Sequence, residues 1–223
     1  MKLIFLFLFS LQTAYLSAQV TKQQVSDVLP VRLEHPYLFF NKTDKNNILS
    51  LIKNDTESKF IYDRLLVEAN RLMYTPIEEF PPQSDHPRYD TDGKFDTQLG
   101  RYSWSATLLA FMYQLTGEVR YAEKSFEFAD ALAELPSWMI KAHEFSIIYD
   151  RVWPWNSRLN DDNVVFMYDI RSGFMGVEMA LVYDWCYDAF NKRQRDRIRN
   201  ALYEKIILPV RNEANHILTC LDK

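Results

Sequence analysis

Glycine is scarce in this chain, with 5 among 223 residues, and cysteine is scarcer, with two. So few glycines leave little material for the tight turns of a many-stranded protein, which points toward helices. Cys186 and Cys220 are too few to make a disulfide framework, and Cys186 lies in an apolar helical pattern where it reads as a small core residue. The formal net charge of -4 gives no general attraction to nucleic acid or to an acidic membrane surface. Also missing are a phosphate loop, a dinucleotide fingerprint, a nucleophile-elbow serine and a paired zinc-ligand motif. His35, His86, His143 and His216 are too scattered to propose a metal site, and no cofactor is expected.

The one long apolar run, Leu3 to Leu11, follows Met1-Lys2 and leads to small residues at Ser17 and Ala18. That order is a secretory signal peptide over residues 1–18, and its apolar core is far short of the roughly 20 residues of a spanning helix. A periplasmic or secreted protein, without a membrane anchor after cleavage, is therefore expected. About 205 residues remain, which fits one domain with a real core.

Residues 19–42 read as an extended leader, including the run His35-Pro36-Tyr37-Leu38-Phe39-Phe40, because a residue before proline is pushed out of helical angles. From residue 43 onward the pattern is helical. Thr43 is placed to cap a short helix through Lys53, and Ile61, Leu65, Ala69 and Leu72 make one stripe of a second helix from Glu57 to Met73. The stretch from Tyr74 to Gly100, rich in proline, reads as a long loop and a cleft wall.

Trp104 to Leu115 is apolar nearly all round, and after Thr116-Gly117 the segment Val119 to Leu132 is two-faced, with Lys124 among its wet residues. The same alternation recurs: Ser172 to Tyr187 is apolar on most sides, and Asn191 with Gln194 three residues on opens an amphipathic helix in a capping box. Arg193, Arg195, Arg197 and Arg199 fall on its wet side, and Pro209 should end or kink it. Two such hairpins predict an all-α array of inner and outer antiparallel helices, closed as an (α/α) toroid or open as a solenoid.

Candidate binding residues follow from chemistry. Arg101, Trp104, Trp153, Trp155, Arg158 and Arg171 form a loose set near helix starts and loops; sugar rings stack on aromatic faces, and guanidinium groups fork onto carboxylate or sulfate. Asp184 and Asp188 lie one turn apart, as do Tyr183 and Tyr187. Two carboxylates on one face do not flank a glycosidic bond as a glycosidase needs, so this block reads as a helix end or, at Tyr183 and Asp184, a sugar contact.

The block Leu181-Val182-Tyr183-Asp184-Trp185-Cys186-Tyr187-Asp188, preceded by Gly173-Phe174 and followed by an arginine-rich helix, resembles a segment of the heparinase II/III-like polysaccharide lyases. His35-Pro36-Tyr37-Leu38 is similar to the entry of that family's N-terminal domain, and Leu108 to Gly117 resembles its paired-helix region. The resemblance implies an incomplete (α/α) toroid over residues 43–223, followed in the family by more toroid and a β-sandwich domain. It implies exported β-elimination on an acidic, uronic-acid polysaccharide. A uronate carboxylate is neutralised so that the neighbouring proton becomes acidic, and Tyr or His groups move protons. The resemblance places no catalytic residue at any position of this chain, which is expected to be inactive by itself. Arg171, Arg101, Trp104, Tyr183 and Asp184 are the substrate-binding candidates. A non-catalytic helical glycan-binding or scaffold module is the alternative.

Overall fold

The computed structural model describes residues 34–82, 93–138 and 170–212. Residues 1–18, expected to be a signal peptide, and Trp153, Trp155, Arg158, His86, His143, His216 and Cys220 lie outside them. One compact unit starts at His35, so residues 35–42, read from sequence as the end of a leader, group with the helices.

Six helices follow, and among the described residues there is no strand. Helix α1 is Lys42–Asn54, capped by Asn41 rather than by Thr43: the Asn41 side chain accepts from Thr43 and Asp44 backbone N–H groups, and Asp44 returns a bond to Asn41. Helix α2, Thr56–Leu72, is capped by Asp55 and buries Ala69 and Leu72 at its C-terminal end, while Ile61 of the expected stripe is exposed. Helix α3, Gly93–Thr116, begins eleven residues before the apolar run that marked it, so the cleft-wall loop is shorter than expected. Its first turns carry Asp96 and Gln98, whose polarity hid the helix.

Gly117 adopts φ 75° and turns the chain into α4, Val119–Glu134. Tyr102 packs edge-on against Phe128, and Ser125 Oγ donates to the Ala106 carbonyl at 2.7 Å, which fixes α3 and α4 as an antiparallel hairpin. Lys124 is buried rather than wet: its ammonium lies over the Phe128 ring and pairs with Glu127 at the surface. Helix α5, Ile170–Trp185, and α6, Lys192–Leu202, form the second hairpin, and α6 opens with the expected Asn191–Gln194 capping box. Gly176 of α5 lies against Ile206, which brings the two backbones close.

Pro209 neither ends nor breaks this helix. A π-helical turn, Tyr203–Ile207, precedes it and residues 208–212 remain α-helical. Leu208 N–H reaches back to the Tyr203 carbonyl, five residues away, and the widened turn relieves the clash that a proline ring makes with the carbonyl four residues earlier.

The hairpins pack like with like. Arg171 meets Asp96, Thr107 Oγ1 donates to the Glu178 carbonyl at 3.4 Å, and Gln114 Nε2 donates to the Trp185 carbonyl, so α3 and α5 run parallel. Likewise Phe126 packs on Phe190 and Arg197 pairs with Asp130 and Glu134, so α4 and α6 run parallel as well. Leu99, Tyr102, Leu109, Met112, Met175, Met179 and Val182 are fully buried along the α3–α5 core, each contributing roughly 1.5–3 kcal/mol. Phe174 and Val177 of α5 stand exposed although the segment is apolar on most sides, and so does Ile170 at its start.

Candidate functional site

The five candidate residues fall into two groups at opposite ends of α5. Arg171 and Asp184 are thirteen positions apart, about 20 Å along the axis.

At the N-terminal end, the parallel packing brings Asp96, Gly100 and Ser103 of α3 against Arg171 and Glu178 of α5. Arg171 Nε stands 2.6 Å from Asp96 Oδ1, close but without an aligned hydrogen bond, while Nη2 donates to Oδ2 at 3.0 Å. Nη1 lies over Gly100, where an added Cβ would stand 3.4 Å away in ordinary van der Waals contact. Burial pushes the Glu178 carboxyl above its ordinary range; Ser103 and Arg171 oppose that shift without cancelling it. Trp104, one turn beyond Gly100, is 45% exposed. Arg101 is also exposed and is held by Glu78 at 3.0 Å. Glu78 in turn belongs to a segment strapped onto α3: its N–H donates to the Tyr102 hydroxyl at 2.7 Å, and Gln98 Nε2 donates to the Glu78 and Glu79 carbonyls.

At the C-terminal end, Asp184 is not available to a sugar. It is buried, and both oxygens are taken: Oδ1 faces His35 Nδ1 at 2.5 Å, and Oδ2 accepts from the backbone N–H groups of Tyr37 and Leu38 at 2.7 and 2.8 Å. The His35 ring stacks on Tyr187 at 3.8 Å and meets Tyr183 edge-on. Trp185 Nε1 donates to the Leu38 carbonyl, and the Phe40 ring packs on Trp185 and Phe111. Residues 35–40 are therefore bent and clamped, not extended, and the His35–Pro36 bond is cis.

Arg195, placed from sequence on a solvated face, closes the turn after α5: Nη1 donates to the Tyr187 and Phe190 carbonyls, and the guanidinium lies 4.7 Å over the Tyr187 ring. Tyr183 is half-buried, and burial, then Tyr187, raises its hydroxyl above the ordinary phenol range despite Arg199 and Arg195. It therefore stays neutral and able to donate a hydrogen bond at any physiological pH. Cys186 is a free buried thiol, as expected of a core residue, and its burial pushes its ionisation far upward.

Asp96, Ser103 and Glu178 escaped sequence reasoning because they are ordinary helix-surface types; only the parallel register of α3 and α5 makes them a cluster. Among the described residues, no three His, Cys, Asp or Glu side chains gather as metal ligands. No protein-family model matches this sequence, and no curated protein is significantly similar to it.

Proposed function

We propose that this chain supplies the helical, substrate-holding portion of an exported polysaccharide lyase acting on uronic-acid polysaccharide. The observation that supports it is the parallel pairing of α3 with α5, flanked by the parallel pairing of α4 with α6, with Arg171 of α5 lying against Asp96 and Gly100 of α3 and Arg101 and Trp104 on the next turn. Repeated inner and outer hairpins in that sense are what an (α/α) toroid is made of. The likeness of Tyr183 to Asp188 to the heparinase II/III-like lyases supplies the reaction class.

The chemistry at that end suits an acidic sugar. Trp104 offers a stacking face, and Arg171 keeps one edge toward Gly100 after its fork with Asp96. The carboxylates of Asp96 and Glu78 hold both arginines in place and temper their charge, so binding rather than proton transfer is the role of this cluster. Abstraction of the C5 proton is assigned to no residue here.

Two assays on the purified chain test this. Passed over immobilised heparin and alginate, it should be retained at low salt, and the Arg171→Ala and Trp104→Ala variants should elute earlier. Incubated with the same polysaccharides, it should release no unsaturated uronate. Wild-type flow-through on both matrices would overturn the acidic-substrate reading, and robust unsaturated-uronate production would overturn the assignment of a holding role alone.

The second reading, a non-catalytic helical glycan-binding module, is favoured by one observation. Both arginines of the cluster are already neutralised by carboxylates, as suits a weak and charge-indifferent sugar surface. Equal retention on neutral and acidic glycan matrices would select it.

A further inference from the structure

Phe39 is placed as neither packing nor backbone preference would place it. Its φ is 64°, in the left-handed region that is strained for a residue with a Cβ, and its side chain is 82% exposed. A bulky aromatic at such a position gains nothing from burial, while glycine or asparagine would sit there more easily.

The surroundings impose the conformation. On one side, the two N–H groups of Tyr37 and Leu38 are held by Asp184 and the Leu38 carbonyl by Trp185 Nε1; on the other, Phe40 is buried against Phe111 and Trp185, and Asn41 caps α1. Phe39 is thus turned outward by anchors on both flanks. Tyr37, two residues before it, is also half exposed. Strain held in place by an over-determined frame is found where a residue serves a contact outside the fold.

We propose that Phe39 and Tyr37 form an aromatic platform that stacks on a pyranose ring of a bound saccharide chain. The proposal rests on the polysaccharide reading above but not on the charge of the sugar. An aromatic ring recognises the apolar C–H face of a sugar, which neutral and acidic saccharides share. The platform is held by Asp184 at the C-terminal end of α5, about 20 Å along the helix axis from Arg171 at the other end. A saccharide engaging both would need several residues, so this inference concerns a chain, not a monosaccharide.

The test uses the full chain, two probes and two variants. Backbone amide shifts are followed while an oligouronate or a neutral cello-oligosaccharide of equal length is added. Phe39 and Tyr37 amides should shift with at least one probe. Phe39→Gly, which relieves the backbone, should keep the melting temperature within about 2 °C of wild type yet weaken binding roughly tenfold. Phe39→Ala, which keeps the Cβ, should weaken binding equally. Shifts at Phe39 from the neutral probe alone would support the platform while defeating the acidic-substrate reading. If neither probe moves Phe39 or Tyr37, or if the two variants bind like wild type, the platform is refuted.

Discussion

Asp184 and His35, 149 residues apart in sequence, meet at 2.5 Å, and the same carboxylate accepts the backbone N–H groups of Tyr37 and Leu38. One buried side chain at the end of α5 thereby fixes the segment that leads into α1. Replacing it by asparagine keeps the size but substitutes an amide for one acceptor oxygen, leaving a buried N–H unpaired. Asp184→Asn is expected to cost about 2–4 kcal/mol, with the melting temperature down by about 5–10 °C. Amide hydrogen exchange at Tyr37 and Leu38 should accelerate in step; unchanged exchange would show that the segment is held by other means.

The closest approach of α5 to the last helix is equally specific. A Cβ at Gly176 would stand 3.2 Å from both Cγ atoms of Ile206. Gly176→Ala asks Ile206 to yield by a few tenths of an ångström while gaining helix propensity, so its melting temperature should stay within about 2 °C of wild type. Gly176→Val adds methyl groups with no room and should destabilise by about 1–3 kcal/mol, read by urea unfolding.

Glu178 carries a pH signature. Burial raises its folded-state ionisation above the ordinary 4.5, so the folded protein holds that proton more tightly than the unfolded chain does. Its contribution favours folding most below the ordinary value and is lost as pH rises through the raised one. Glu178→Gln should therefore stabilise the protein at neutral pH, with the gain over wild type shrinking as pH falls through the raised value toward about 4.5 and levelling off below it. Melting curves across that range check it, and a gain that instead grows toward acid would contradict the burial account.

Cys186 should be inert in the folded state, because burial both shields the thiol and disfavours the thiolate that reacts. Mass mapping after iodoacetamide at pH 8 should find Cys186 unmodified in the native protein and modified after denaturation.

Much of the helical pattern was legible in residues. Alternating apolar and two-faced segments, the Thr116-Gly117 turn and the Asn191–Gln194 box each have a local cause, and each stands where it was expected. The misreadings are equally local in form and tertiary in cause. The first turns of α3 were hidden because Asp96 and Gln98 find partners on α5 and on the Glu78 segment, which no periodicity announces. Pro209, expected to end or kink the helix, does not end it, because a π-turn that accommodates the proline has no sequence signature. Lys124 passed for a wet residue because a long side chain can bury its stem beneath a charged end. The candidate site was legible only in pieces: Arg171, Arg101 and Trp104 share one end, whereas Asp184 is consumed in holding His35. Register between helices decides both outcomes, and register is a property of packing.

The proposed function puts a uronate carboxylate on Arg171. Its side-chain Nε–H resonance, followed in a uniformly nitrogen-15-labelled chain during titration with an oligouronate and with a neutral oligosaccharide of the same length, senses a ligand on that guanidinium. The resonance is predicted to move in saturable fashion with the oligouronate alone, and less so as salt is raised. A resonance that stays fixed, or that moves equally with the neutral sugar, would contradict it.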